Sequence, residues 1–247
     1  LPAGIVLVFW VATFLVVQNS PGDAGLGDFD PEDATSGDTG AITLGYLAKK
    51  VFTNPVTITI AAAEFCTGAV RKGFEEWFPR YMQEVQHLAL DNPVFRSNAF
   101  AVVAAGIAGA FAAGYASDLL FRARRTPVAF IGYCLQIAAL AVVWWAPAVD
   151  VVVVAFVVNS FAISVVHSML SGTASMDFGG KRAAASAAGM FDGMQYVGGS
   201  LMGVGMGWFL DHYGWGAWGP GMIGFAVVGA ALMLRLWNAR PSRRGGH

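Results

Sequence analysis

The chain has 247 residues, of which 56% are hydrophobic and 13% are charged, and its formal net charge is −1. Its mean hydropathy of +0.56 is above the range of ordinary soluble domains, and its apolar residues fall in long blocks. The composition therefore excludes a soluble globular domain and predicts an all-α, multi-pass membrane protein. The net charge by itself indicates no partner, and no nucleic-acid partner is expected.

Seven windows of the sequence are apolar enough, or nearly so, to cross a membrane, which takes about 20 mostly apolar residues. In chain order they are residues 2–17, 55–80, 98–120, 127–147, 150–173, 186–209 and 219–237. The first window is short, and it lacks the basic start and the cleavage site of a signal peptide. Because the chain opens on Leu1 rather than Met, we expect this window to be the end of a helix whose start is missing.

A polar segment, residues 18–50, separates the first two windows. It is rich in Asp, Gly, Pro and Ser, which predicts an exposed linker. Most Lys and Arg residues fall on the side of the predicted membrane that holds this linker and the C-terminus, whereas Arg80 and Arg96 fall on the other side. By the positive-inside rule, the linker and the C-terminus are predicted to be cytoplasmic.

The second window carries an unusual group of charges. Glu64, Gly68, Arg71 and Glu75 are spaced by four, three and four residues, which places them on one face of a helix. On that face Gly68 is expected to open space beside Arg71. Ionisable groups in a membrane span usually face a bundle interior or a watery cavity, and the planar donors of an arginine suit a phosphate or carboxylate. The alternative is that Arg71 and its neighbours only form ion pairs or reach the interface. Lys72 and Glu76 have the same spacing one position further round the helix.

A second polar motif lies at a predicted cytoplasmic turn, in the stretch GYASDLLFRARR, residues 114–125. Asp118 can cap the turn, and Arg122, Arg124 and Arg125 can bind helix carbonyls and carboxylates of a neighbouring helix. We expect such a clasp to hold one conformation. Positive-inside anchoring is the alternative, but it explains the arginines and not the Gly and Asp before them.

Five segments, taken in order, resemble the C-terminal half of the organophosphate:phosphate antiporters, a branch of the major facilitator superfamily. They are NSPGDAGL, VRKGFEEWFPRYMQEV, GYASDLLFRARR, GKRAAASAAGMFDGMQYVGGS and DHYGWGAW. The pattern R-x-G-x-x-[DE]-W-x-P-x-Y of that branch is met by Arg71, Gly73, Glu76, Trp77, Pro79 and Tyr81.

The resemblance implies a C-terminal six-helix bundle of a twelve-helix transporter, preceded by the end of the sixth helix. Residues 1–17 would then be the end of helix six, 18–50 the cytoplasmic linker between halves, 51–237 helices seven to twelve, and 238–247 a cytoplasmic tail. It also implies location in the cell (inner) membrane. The partners implied are the lipid bilayer, the N-terminal half of the same transporter, an organic phosphate such as glycerol 3-phosphate or a sugar phosphate, and inorganic phosphate.

The same resemblance implies site residues. The phosphate-binding arginine of the branch falls on Arg71, and a substrate-contacting tyrosine falls on Tyr196. Val103 stands where better-known members have a glutamate, and Gly68 stands where they have a tyrosine, whereas Glu64, His167, Asp192 and Gln195 are more polar than their counterparts. The substrate-binding candidates are Arg71, Tyr196, Lys72 and His167. The gating or coupling candidates are Glu64, Glu76, Asp118, Arg122, Arg125 and Asp192.

The function expected from this resemblance is exchange of an organic phosphate for inorganic phosphate by alternating access. Two alternatives stay open: a transporter-like sugar-phosphate sensor, and a partial chain that is inactive alone. The sequence shows no nucleophile elbow, phosphate-binding glycine loop or cluster of metal ligands, so we expect no enzyme activity, no cofactor and no metal. The glycines Gly199, Gly203 and Gly207 recur every four residues, which predicts close helix packing.

Overall fold

The computed structural model describes residues 2–18, 22–26, 43–145 and 148–239. Within these residues every regular element is helical, which confirms the all-α fold. Most of the predicted linker, at residues 19–21 and 27–42, and the tail from residue 240 onward lie outside the described residues.

The described residues contain nine α-helices, and α1 lies in a unit of its own, residues 1–32. The second unit, residues 33–247, holds the others. In chain order the helices are α1 (Pro2–Val16), α2 (Leu44–Phe52), α3 (Pro55–Glu75), α4 (Phe78–Glu84), α5 (Pro93–Tyr115), α6 (Arg125–Trp145), α7 (Val149–His167), α8 (Ser175–Tyr213) and α9 (Trp218–Arg235).

Local sequence signals explain where several helices begin and end. Asn54 and Asn92 each cap a helix with the side-chain oxygen, which accepts from the backbone N–H two residues later, and a proline follows each asparagine. Thr43 caps α2 with its side-chain oxygen, which accepts from the backbone N–H of Tyr46 three residues later, so the last part of the predicted linker is a helix. Helix α8 ends at Gly214, whose φ of +69° suits glycine.

Four helical segments of the described residues are long and apolar enough to cross a membrane: 93–120, 125–145, 149–180 and 215–235. Helix α3 has the necessary length, at 21 residues, but is more polar because it carries Glu64, Arg71, Lys72 and Glu75. This helix is the one that the sequence singled out as a candidate site.

Irregular helical turns occur near the predicted cytoplasmic ends of two membrane helices. α5 continues as a π-helical segment at Ala116–Leu120, and α7 continues as another at Ser168–Ala174. The long helix α8 is kinked at Gly180, where φ is +67°. Such wide turns are frequent at functional sites, and here they lie beside the two polar regions described below.

Helix α3 lies at the centre of the second unit and packs against α8, α9 and α7. The α3–α8 contact is very close, because a Cβ atom added at Gly198 would lie 2.0 Å from the carbonyl oxygen of Phe65. A Cβ added at Gly68 would lie 1.8 Å from the carbonyl oxygen of Gln195. Glycine at both positions therefore brings the two backbones together, and with them the polar side chains that each helix carries.

An aromatic cluster packs around the C-terminal end of α3. Trp218 stacks on Phe74 and Tyr81, and its indole N–H donates to the carbonyl of Gly73 over 2.9 Å. Beside it, Glu84 accepts from Arg80 over 2.6 Å and from Trp215 over 2.9 Å. The Arg80 guanidinium, followed by the Trp215 indole, holds the pKa of the Glu84 carboxyl below its ordinary range.

Candidate functional site

Arg71 lies four residues before the end of α3, with 38% of its side chain exposed. Its Nε donates to Glu75 over 3.2 Å, and its Nη1 donates to the side-chain oxygen of Gln195 on α8 over 3.4 Å. No group in the described ranges accepts from Nη2. The guanidinium is thus held in place from two sides while part of its donor fork stays available to an anion.

Lys72 forms the second pair that the spacing predicts. Its ammonium lies 3.2 Å from Glu76, and about a third of its side chain and half of that of Glu76 are exposed. The carbon stem of Lys72 packs over α8 where Gly199 leaves room. Arg71 and Lys72 therefore lie along the same helix–helix contact, each with a glutamate one turn away.

Glu64 is completely buried in the middle of α3. Its Oε2 accepts from the side-chain amide of Gln195 over 3.0 Å, and the same amide nitrogen lies 2.9 Å from Nδ1 of His167. The other carboxylate oxygen, Oε1, lies 3.6 Å from that Nδ1 and accepts no hydrogen bond from the described residues. Gln195 thus contacts Arg71 and Glu64 on α3 and His167 at the end of α7.

Asp192 and Tyr196 extend the site along α8. Asp192 accepts from the hydroxyl of Ser171 and lies 4.0 Å from Nε2 of His167. Tyr196 is 65% exposed and has no polar partner among the described residues. Polar contacts thus join Arg71 and Glu64 on α3, Gln195 and Asp192 on α8, and His167 at the end of α7. We call these five residues, together with the exposed Tyr196 next to Gln195 in sequence, the central polar surface.

The predicted loop clasp is centred on Arg125. Its Nη1 donates to Ser117 over 2.8 Å and to Asp118 over 2.9 Å, and its Nε donates to Asp177 at the start of α8 over 3.0 Å. Only 15% of the Arg125 side chain is exposed. Arg122 is exposed, and no ion pair to it occurs among the described residues. The loop thus links the end of α5 to α8 through one arginine.

Comparison with known protein families decides the classification. The model of the Major Facilitator Superfamily matches residues 1–203. The chain belongs to the Major Facilitator Superfamily. Its apolar helices and this membership together identify an integral multi-pass membrane protein.

Among the relatives of this superfamily member are several named for organic phosphates, which confirms the resemblance to the organophosphate branch. The glycerol-3-phosphate transporter of Bacillus subtilis is 26% identical over 246 residues, which is 96% of this chain and 55% of that protein. The Haemophilus influenzae glycerol-3-phosphate transporter is 25% identical over 92% of this chain and 52% of its own length. The membrane sensor protein UhpC of Escherichia coli is 29% identical over 80% of this chain and 45% of its own length. The chain therefore spans about half the length of the relatives that it matches.

The geometry of this superfamily member adds two residues that sequence reasoning left out of its candidate sites. Gln195 contacts Arg71, Glu64 and His167, and Asp177 is the second carboxylate on Arg125. The only sequence signal for Gln195 was its unusual polarity in an apolar segment. Asp177 gave none, because its partner is 52 residues away.

One detail of the predicted site is wrong. Gly68 was expected to open space beside Arg71, in place of the tyrosine found in better-known members of the branch. The main chain of Gln195 fills that position instead, at a distance that no side chain could tolerate. Gly68 therefore brings α8 closer to α3 and leaves no open space beside Arg71.

Proposed function

We propose that this chain is the C-terminal half of a transporter that exchanges an organic phosphate for inorganic phosphate by alternating access. The observation that carries the proposal is the placement of Arg71, whose guanidinium is fixed by Glu75 and Gln195 and still offers donors to an anion. An arginine within a membrane-spanning helix is costly, and such residues usually mark an ion or substrate pathway. This supports a functional role for Arg71. The names of the glycerol-3-phosphate transporters above support the choice of substrate class.

We place the transporter in the cell (inner) membrane with its C-terminus in the cytoplasm, following the distribution of Lys and Arg. The substrate would lie between this half and an N-terminal half that contributes its own contacts. The exposed positions of Tyr196 and Arg71 on the central polar surface agree with a site that a second half completes. In this arrangement Lys72 and His167 face the substrate from the two sides of Arg71, and we propose no enzymatic step.

Reconstitution of the intact two-half transporter tests this function. Proteoliposomes loaded with inorganic phosphate should accumulate external radiolabelled glycerol 3-phosphate, and the present chain alone should show no such counterflow. The half-site proposal fails if the chain alone is active as a monomer. A sensor is the second candidate, because UhpC is among the relatives; binding of glycerol 3-phosphate without counterflow would favour it.

The clasp on Arg125 gives a separate prediction for gating. Asp118→Asn removes one of two carboxylates from Arg125, and a partly exposed ion pair is worth about 0.2 to 1 kcal/mol. If the clasp stabilises one gating state, counterflow should fall by up to about fivefold while the amount of transporter in the membrane stays constant. Asp91→Asn, on an exposed loop without a described ion pair, is the matched control. A parallel loss of transport and abundance would instead assign the clasp to folding.

A further inference from the structure

The carboxylate of Glu64 is the most unusual group on the central polar surface. It is fully buried, and its Oε1 has no hydrogen-bond donor among the described residues. An ionised carboxylate away from water is costly unless a cation or several donors compensate it. Among the described residues, the amide of Gln195 is the one hydrogen-bond donor to this carboxylate, through Oε2.

The orientation of the Gln195 amide follows from its neighbours. The reversed amide would set its oxygen against the Glu64 carboxylate and its NH2 group against the Arg71 guanidinium, so both contacts would be repulsive. With the amide as described, its two N–H groups point to Glu64 Oε2 and to His167 Nδ1. Nδ1 therefore accepts a hydrogen bond, and His167 is a neutral imidazole whose Nε2–H faces Asp192.

This arrangement leaves one position for a proton. A neutral His167 gives Glu64 no compensating charge, and Oε1, which lies 3.6 Å from Nδ1 of the imidazole, accepts no hydrogen bond from the described residues. We propose that Glu64 and His167 form a proton-binding site, with the proton taken from water onto Glu64 Oε1, and that the transporter binds this proton together with its organic phosphate. The proposal rests on the proposed function for its substrate.

The other ionisable groups near Glu64 lie on α3 and on the helices packed around it. Arg71 lies on α3 itself, Tyr133 faces it from α6, and Asp192 faces it from α8. Tyr133 donates its hydroxyl to the carbonyl of Ala63, so it is engaged elsewhere. Helices α5 and α9 carry their charged residues, Arg96 and Arg235, near their ends. Glu64 is thus the buried carboxylate of this group, and Asp192 is about half exposed.

Gln195 provides the physical link between proton and substrate. Its oxygen accepts from Arg71, and its nitrogen donates to Glu64 and His167. A phosphate that binds the remaining donors of Arg71 adds negative charge near Glu64, which favours the neutral carboxyl. By linkage, protonation must favour phosphate binding to the same extent.

The proton site can be tested without substrate. Infrared difference spectra of the intact transporter, recorded during a pH titration, should contain the carbonyl stretch of a protonated carboxyl group. Glu64→Gln should remove this band, whereas Asp150→Asn, which deletes an exposed carboxylate from the start of α7, should keep it. An unchanged band in Glu64→Gln, or no such band in the wild type, overturns the proposal.

The linkage is tested by calorimetry with glycerol 3-phosphate in two buffers of different ionisation heat. The wild type and Asp150→Asn should take up about one more proton per bound substrate than Glu64→Gln. The protons that the phosphate itself takes up or releases are common to the three proteins, so they cancel in this difference. Equal proton uptake in all three variants would overturn the linkage. If the band titrates but the wild type binds neither glycerol 3-phosphate nor inorganic phosphate, the proposed substrate and the linkage both fail while the proton site stands.

Discussion

Arg71→Lys is expected to weaken the binding of inorganic phosphate to the intact transporter by roughly ten- to 150-fold. Lysine keeps the positive charge but loses the planar fork, and a charge-assisted hydrogen bond is worth about 1.5 to 3 kcal/mol. In the structure Nε and Nη1 of Arg71 are occupied by Glu75 and Gln195, so the guanidinium can hold its position and bind an anion at once. A lysine ammonium lacks this fork, so its contacts with Glu75 and Gln195 would compete with its contact with the phosphate.

Two further variants make this measurement decisive. Lys72→Met keeps the stem that packs on Gly199 but removes the charge, and we expect a smaller loss because Lys72 is already paired with Glu76. Arg80→Lys is the matched control, since Arg80 pairs with Glu84 at the outer end and should not change phosphate affinity. Unchanged affinity in Arg71→Lys, or a larger loss in Lys72→Met, would show that the binding residue has been misidentified.

The membrane helices were predictable because hydrocarbon imposes a minimum length of apolar sequence. The predicted windows 98–120 and 127–147 lie close to α5 with its π-helical end and to α6. The window 55–80 was too long, because α3 ends at Glu75 and a short helix begins at Phe78 before Pro79. The window 186–209 was shorter than the part of α8 that follows the non-helical Gly180 and ends at Tyr213, because composition gives no boundary there.

The candidate site was predictable only where its residues share one helix. The spacing of Glu64, Arg71 and Glu75 placed them on one face of α3, and the pair of Arg71 with Glu75 has that spacing. Contacts between helices depend on packing and could not be read from spacing, so Gln195, which lies 131 residues from Glu64, was not identified as the hub. The roles assigned to Tyr196, His167 and Asp192 remain predictions.

Glycines show the same limit. The repeat at Gly199, Gly203 and Gly207 predicted close packing, and these three do face Lys72, Glu76 and Trp77 on α3 or just beyond its end. Among the glycines of α8, the tightest contact is nevertheless at Gly198, one position outside the repeat. A spacing rule finds the face of a helix, whereas the crossing point of two helices is set by the three-dimensional path of both backbones.

Gly198→Ala is therefore expected to destabilise the transporter more than any other single methyl addition on α8. The new Cβ would lie 2.0 Å from the carbonyl oxygen of Phe65, so the two backbones would have to separate. Overpacking of this kind costs about 1 to 3 kcal/mol, which corresponds to a loss of about 2 to 12 °C in unfolding temperature. Separation of α3 from α8 would also lengthen the contacts of Gln195 with Arg71 and Glu64, so phosphate affinity should fall as well.

Gly205→Ala on the same helix is the matched control, because a Cβ there meets no atom within 4 Å. Alanine favours a helix over glycine by up to about 1 kcal/mol, so this variant should unfold at the same temperature as the wild type or slightly higher. Thermal unfolding of both variants in detergent, followed by tryptophan fluorescence, provides the comparison. If Gly198→Ala and Gly205→Ala unfold at the same temperature, α3 and α8 do not meet at Gly198. The alignment of Gln195 with Arg71 and Glu64, which depends on that crossing, would then be wrong too.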